Sequence, residues 1–375
     1  MKWRIKFSGK SNIDCIISSN YAYIDMHDNG LNCKNKELKQ QLLGFGCGLY
    51  GIKSVIVERN EQVPYIPRRA KGLQFQKNVK TDQIDFSRFS RLKIIQFIDV
   101  EKIPIGIIKA PSLEILIISS KHLKQIPFEL EALPRLKILG IDMADNLEVY
   151  PSWIENLTSL EELILDRFHK IDAEINLTKL KNLKLLHVLD SPNVNISESV
   201  KFLQNLSSLY VRRWKPYFAD IENLETLHIG YFDDEEDILA IEKNRNLTDL
   251  HISTMWCEGI PEVVSKLKKL KHLSIGFSSA KTLINNKVLY FPELEYLALR
   301  SHFLDDFPVH LMPKLKYMTI YCLNEKEDDK IELNPKLNQL ESLDFLYLVG
   351  DGTKAYDERK FKFKIIRQED GLIYL

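Results

Sequence analysis

Histidine is the residue type here whose spacing first suggests chemistry. His228 and His251 stand 23 residues apart, and His187 stands 23 before Tyr210. If each step of that size returns the chain to the same strand position, His228 and His251 lie about 5 Å apart on neighbouring strands. Two adjacent imidazoles could share a metal ion or a proton. Yet no Asp, Glu or Cys occupies the same column, and tetrahedral zinc takes three or four such ligands. Polar contact across a sheet face is therefore the favoured reading, and a metal- or ligand-dependent enzyme using this column stays as the alternative. Cys257 with His251 or His272 makes a weaker nucleophile pair, because nothing places thiol and imidazole within reach. Gly46-Cys-Gly-Leu-Tyr-Gly51 has the spacing of a phosphate-binding glycine loop. That use needs a strand before it and a helix after it. Here a helical segment, Glu37 to Leu43, precedes and a strand-like one, Ile52 to Val57, follows, so these glycines are expected to form a tight turn. Asn156, Asn176, Asn205 and Asn246 each begin an Asn-Leu-Ser/Thr triplet and are read as turn residues.

The elements that would position these side chains come from a recurrence. From residue 92 the pattern apolar-x-x-apolar-x-apolar repeats, as Leu92/Ile95/Phe97, Leu113/Leu116/Ile118, Leu136/Leu139/Ile141 and Leu160/Leu163/Leu165. It continues through Leu183, Leu206, Leu224, Leu247, Leu270, Leu294 and Leu315, with a last copy starting at Leu340 or Leu343. Steps between starts from Leu92 to Leu315 run from 18 to 24 residues, the 18-residue step falling between Leu206 and Leu224. The second and third positions of each copy are two apart and share one face of a strand, which points inward, while the intervening residues point outward. Single copies could not bury that face alone, so the copies must stack.

This resembles the leucine-rich repeat family. The resemblance implies an α/β solenoid: a leucine-rich repeat horseshoe with a parallel, concave β-sheet and about 12 repeats over residues 71–349. Proline opens the return in Gln125-Ile-Pro-Phe, Tyr150-Pro-Ser-Trp, Gly259-Ile-Pro-Glu and Phe307-Pro-Val-His, where a short helical turn would start. Such copies are similar to the repeats of intracellular members. One departure is plain. The asparagine usual just after the strand is replaced by Lys121, Ala144, Phe168, Ser191, Trp214, Phe232, Met255, Ser278 and His302, so buried turn carbonyls need other partners. The 18-residue step predicts a return with little room for a helix. Residues 1–70 read as a β-rich N-terminal cap or small module, with a hairpin signal at Asn29-Gly30. Residues 350–375 read as a C-terminal β-hairpin cap, from Phe361, Phe363 and Ile365 and the run Leu372 to Leu375.

Composition narrows the function classes. The 375 residues carry 52 Lys+Arg against 52 Asp+Glu, which disfavours a protein built to bind nucleic acid or an anionic membrane. No stretch approaches the roughly 20 apolar residues of a membrane span. Met1 to Lys10 lacks the apolar core of a secretory signal. Five scattered cysteines (Cys15, Cys33, Cys47, Cys257, Cys322) with no CxxC pair suit reduced thiols, so a cytoplasmic location is expected.

The outward strand positions carry the functional expectation. Asp99, Asp142, Asp166 and Asp190 come early in the array. Tyr210, Arg212, Arg213, His228, Tyr231, His251, His272, Phe277, Tyr296 and Arg300 come later, joined by Trp214, Lys215, Tyr217 and Phe218. Aromatic residues and arginine dominate protein-binding hot spots. The expected function is thus non-enzymatic binding of a folded protein partner on the concave face, with Asp166, Asp190 and the later group as contacts. No cofactor is expected. A bacterial inhibitor or immunity protein is the narrower form of this reading, and single-stranded nucleic-acid binding by the aromatic, basic group is the last alternative.

Overall fold

The computed structural model describes residues 54–255, 260–277, 289–300, 311–321, 333, 335–349 and 356–368. All five cysteines, the N-terminal hairpin, the helix over Glu37 to Leu43, the Gly46 to Gly51 turn and the run Leu372 to Leu375 lie outside them. The described residues fall in two compact units. One holds the chain up to Arg212 together with Asp220–Leu224; the other holds Arg213–Ala219 and the residues from Glu225 onward. The division falls inside the 18-residue step.

In the first unit the ladder strands are β1 (Ser54–Val57), β2 (Gly72–Phe75), β3 (Ile94–Ile98), β4 (Ile115–Ser119), β5 (Ile138–Asp142) and β6 (Glu162–Leu165). Two short strands, β7 (Ala173–Ile175) and β9 (Val194–Ile196), alternate with β8 (Leu185–Val188), and β10 (Ser208–Arg213) follows. The order is β1-β2-β3-β4-β5-β6-β8-β10, each neighbouring pair being parallel, while β7 and β9 pair separately. Register joins each motif to the next: Ile95 faces Leu116, Leu116 faces Leu139, and Leu139 faces Leu163. These inward side chains are fully buried.

The second unit runs β11 (Thr226–Tyr231), β12 (Asp249–Met255), β13 (His272–Phe277), β14 (Tyr296–Arg300), β15 (Tyr317–Tyr321), β16 (Phe345–Val349) and β17 (Lys364–Gln368), again parallel in sequence order. Leu346 pairs with Met318, which makes Leu343, not Leu340, the start of the last motif. The twelve sequence motifs correspond to β3, β4, β5, β6, β8 and β10 to β16. Three further rungs, β1, β2 and β17, extend the two ladders. Their motifs are harder to read because Ala70 stands for the first leucine of β2, and because Lys362 and Arg367 occupy motif positions of β17. The C-terminal strand also starts later than the alternation from Phe361 predicts.

The returns are 3-10 turns of about five residues, such as Phe128–Ala132 after Pro127 and Ser152–Asn156 after Pro151. A proline fixes the entry φ and gives up no bonded N–H there. The short step contains the same kind of turn, Pro216–Asp220, so it differs little from its neighbours. Among the described residues the one α-helical return, Glu262–Ser265, is four residues long.

The missing asparagines after the strands are replaced in two ways. Some turns use serine: Ser120 Oγ donates to the Val100 carbonyl (2.6 Å) and accepts from the His122 N–H (3.1 Å). Ser191 Oγ accepts from the Phe168 N–H at 3.1 Å and donates to the Leu165 carbonyl at 3.3 Å. A second ladder stands in front of the strands. At several rungs the residue before the first leucine reaches back one rung: Ser112 to the Ser90 carbonyl, Asn182 to Thr158, Asn205 to Lys181 and Asn223 to Gln204, at 2.7 to 3.0 Å. Ser342 does the same to Pro313 at 2.9 Å in the second unit. Asparagine is thus used, at a different repeat position from the one expected.

Candidate functional site

In the first unit the expected contacts form a layered polar network. Asp142 ends β5 and Asp166 follows β6, level with each other, while His187 on β8 and Tyr210 on β10 are register partners two residues earlier, in line with Ile164 and Gly140. Asp166, His187 and Tyr210 are buried. His187 Nε2 lies 3.7 Å from Asp166 Oδ1, and its ring stacks on Tyr210 with centroids 5.5 Å apart. Asp142 accepts from the Met143 N–H at 2.6 Å and lies 4.0 Å from the Arg167 guanidinium. Burial, and then the charge of Asp166, push the Asp142 carboxyl up to about 6. The chain leaves this layer through left-handed residues, Met143 and Arg167, both at φ 57°.

The rim of the same layer is open. Arg212 Nη1 lies 3.5 Å from Asp190 Oδ1, with both side chains nearly half exposed. His169 stands between Asp145 (2.6 Å) and Asp190 (3.8 Å). Asp166 and Tyr210, expected as partner contacts, are therefore interior groups. Asp190 and Arg212 are accessible.

The second unit contains the histidine pair. His228 and His251 are register partners on β11 and β12, with ring centroids 3.9 Å apart. Ser253 Oγ lies between them, 3.0 Å from His228 Nε2 and 3.3 Å from His251 Nε2. A register shift after Ile252 accompanies this arrangement, and Gly276 of β13 sits against it, where an added Cβ would lie 2.1 Å from the Ser253 carbonyl oxygen. Burial holds His251 down at about 4, so it is a neutral, hydrogen-bonding imidazole at pH 7. Among the described residues no group of three or more His, Cys, Asp or Glu could hold a metal ion. His272 bonds Asp249 at 2.6 Å, and Asp249 also accepts from Thr248 Oγ1.

Near Arg213 the arrangement is accessible. The Arg213 Nε lies 3.3 Å from the Tyr231 hydroxyl and 3.1 Å from Asp233 Oδ1, and Lys215 Nζ lies 3.7 Å from Asp233 Oδ2. Two cations thus face one carboxylate. The side chains of Arg213, Lys215 and Asp233 are 49, 32 and 37 % exposed. Trp214, expected beside them on the outward face, is wholly buried, packed on Phe218 and Phe232 with centroids 5.7 and 5.8 Å away. Successive strand residues point to opposite faces, and Trp214 takes the turn position where relatives carry asparagine. Tyr296 is likewise buried and donates to Thr319 Oγ1 at 2.9 Å. The side chains of Phe277 and Arg300 lie outside those described.

Apolar outward positions were missed from sequence. Ile94, Ile115, Ile117 and Ile138 form a buried cluster on the outward side of β3 to β5. The signal was present: these are β-branched residues at positions expected to be polar. Among the described residues no helix is long and apolar enough to cross a membrane.

A family profile described as leucine-rich repeat region matches residues 73–363. A relative, the disease resistance protein RPS4B of Arabidopsis thaliana, is 29% identical over 204 residues, which is 54% of this chain and 14% of that protein. A leucine-rich repeat protein of Leptospira interrogans superposes with a TM-score of 0.48 at 17% identity, over 84% of this chain and 93% of the other. An internalin of Listeria monocytogenes superposes with a TM-score of 0.45 at 16% identity, over 84% and 89%.

Proposed function

The chain belongs to the leucine-rich repeat family, and from that premise we propose that it is a non-enzymatic module that binds a folded protein partner through outward strand positions. The observation that carries this reading is the exposed group of Arg213, Lys215, Tyr231 and Asp233. Two cations face the Asp233 carboxylate, and the Tyr231 hydroxyl and Asp233 hold the guanidinium in place. A pre-oriented arginine beside a tyrosine loses little side-chain entropy on binding and pairs well with a partner's carboxylate. The test is a pull-down from the native host, followed by affinity measurement with the identified partner. Arg213→Ala with Lys215→Ala should weaken binding about tenfold or more, the scale of a hot spot. Unchanged affinity, with the fold intact, overturns the assignment.

A narrower role as a bacterial inhibitor or immunity protein is in keeping with this site, because occluding a partner needs surface contacts and no reacting group. The matched Arabidopsis protein is named for disease resistance, which is said of that protein. A toxin gene beside this one would support the narrower role, and its absence would count against it. We place the module in the cytoplasm, on the strength of five scattered cysteines without a CxxC pair.

A further inference from the structure

Along one edge of the first unit, the residue after each first leucine forms a column of alternating charge. Lys93, Glu114, Lys137, Glu161 and Lys184 follow one another, each backbone N–H donating to the carbonyl of the previous member at 2.7 to 2.9 Å. Their side chains pair across rungs: Lys93 with Glu114 at 2.7 Å, Lys137 with Glu161 at 3.3 Å, Lys184 with Glu161 at 2.6 Å. The second unit repeats the device at Glu295 and Lys316, 2.7 Å apart.

The column breaks this rule at its start. The Lys93 N–H donates to the Lys71 carbonyl at 2.8 Å, so two lysines occupy consecutive rungs. The β2 and β3 register places Arg69 opposite Arg91 two residues earlier. Arg68, Arg69, Lys71 and Arg91 are all exposed, and among the described residues none has an ion-pair partner. Tyr65, between Pro64 and Pro67, is 84% exposed three residues before Arg68. Like charges on adjacent strands repel until an anion lies between them.

We propose that this edge, from Tyr65 through Arg68, Arg69 and Lys71 to Arg91, docks an acidic segment of a protein partner. Carboxylates of that segment take the place that glutamate fills in the rest of the column, and the arginine forks receive them in pairs. Tyr65 supplies apolar contact area with a polar tip. Carboxylates suit the edge because they are the groups this column already uses, with Glu114 receiving Lys93 at 2.7 Å and Glu161 receiving Lys184 at 2.6 Å. The surface is distinct from the Arg213 group and does not depend on it.

The probe is a short labelled peptide alternating glutamate and serine, titrated with the full chain and followed by fluorescence anisotropy. Binding should weaken about tenfold when Arg68, Arg69 and Lys71 are changed to alanine, and should fall as salt rises, as expected for exposed charges. Lys179→Ala, which removes an exposed cation away from this edge and from the Arg213 group, should leave peptide binding unchanged, so the loss reads this edge and not overall charge. A second variant guards against unfolding. Lys71→Glu restores the alternation, so its melting temperature should not fall while peptide binding weakens severalfold. No binding by the unaltered protein, equal binding by the triple variant, or tighter binding to a single-stranded oligonucleotide or to phosphatidylserine vesicles overturns the proposal.

Discussion

Asp142→Asn tests how the buried polar layer is held. In the folded chain the Asp142 carboxyl is raised from its ordinary 3.8 to about 6, through burial first and the neighbouring Asp166 second. The fold therefore binds that proton more tightly than the unfolded chain does. This contribution to stability is greatest below about pH 4 and is lost as pH rises through about 6. The displacement corresponds to roughly 3 kcal/mol at about 1.36 kcal/mol per tenfold in proton affinity. Because the side chain is 24% exposed, and because the variant gives up the contact with Arg167, a net gain of about 1–2 kcal/mol is expected at neutral pH. The asparagine Oδ1 can still accept from the Met143 N–H, so the turn should persist. The assay is urea unfolding followed by circular dichroism at a series of pH values between 4 and 7.5. His251 changes stability with the opposite sign: held at about 4 against an ordinary 6.5, it costs stability as pH falls through that interval. It is present in both proteins, so the difference between them isolates Asp142. The variant should match the parent near pH 4 and exceed it progressively above pH 5. A difference that does not change with pH, or a variant less stable at pH 7.5 than the parent, would refute the reasoning.

Three further outcomes are expected. Gly276→Ala puts a Cβ 2.1 Å from the Ser253 carbonyl oxygen, a backbone atom that cannot swing aside, so the melting temperature should drop sharply, with roughly 3 kcal/mol or more lost; wild-type stability would show that β12 and β13 can separate at no cost. Trp214→Ala should cost about 3–5 kcal/mol in denaturant unfolding, as for other buried tryptophans, whereas Arg213→Ala on the adjacent exposed side chain should change stability by under about 0.5 kcal/mol. Ser191→Ala strands the buried Phe168 N–H and should cost about 1–3 kcal/mol, with faster hydrogen exchange at that amide as the local readout.

The two ladders explain how an array with so few asparagines after its strands keeps its register. Polar side chains ahead of many strands close onto the preceding rung, and ion pairs such as Lys184 with Glu161 run along the edge. Each exposed pair is weak, typically under about 1 kcal/mol. Their regularity matters more than their strength, because a strand displaced by one residue would break every contact in its column together.

Much of the architecture follows from the sequence alone. Leucine positions recurring at 18 to 28 residues dictate stacked parallel strands, and the two-residue spacing inside each motif dictates which side chains face the core. The proline-led returns were readable for the same reason: proline restricts φ whatever surrounds it. Tertiary structure decided the rest. Leu340 and Leu343 both satisfy the last motif locally, and only the pairing of Leu346 with Met318 separates them. Tyr210, Trp214 and Tyr296 have the composition of a binding surface yet are buried, while Arg212, Arg213 and Lys215 beside them remain accessible. The doubled cations at Lys71 and Lys93 became visible only once β2 joined the ladder with alanine in place of the first leucine. Periodicity is a local property that one chain segment carries by itself. Burial and ion pairing depend on what the next rung places opposite, and that is set by register and not by type.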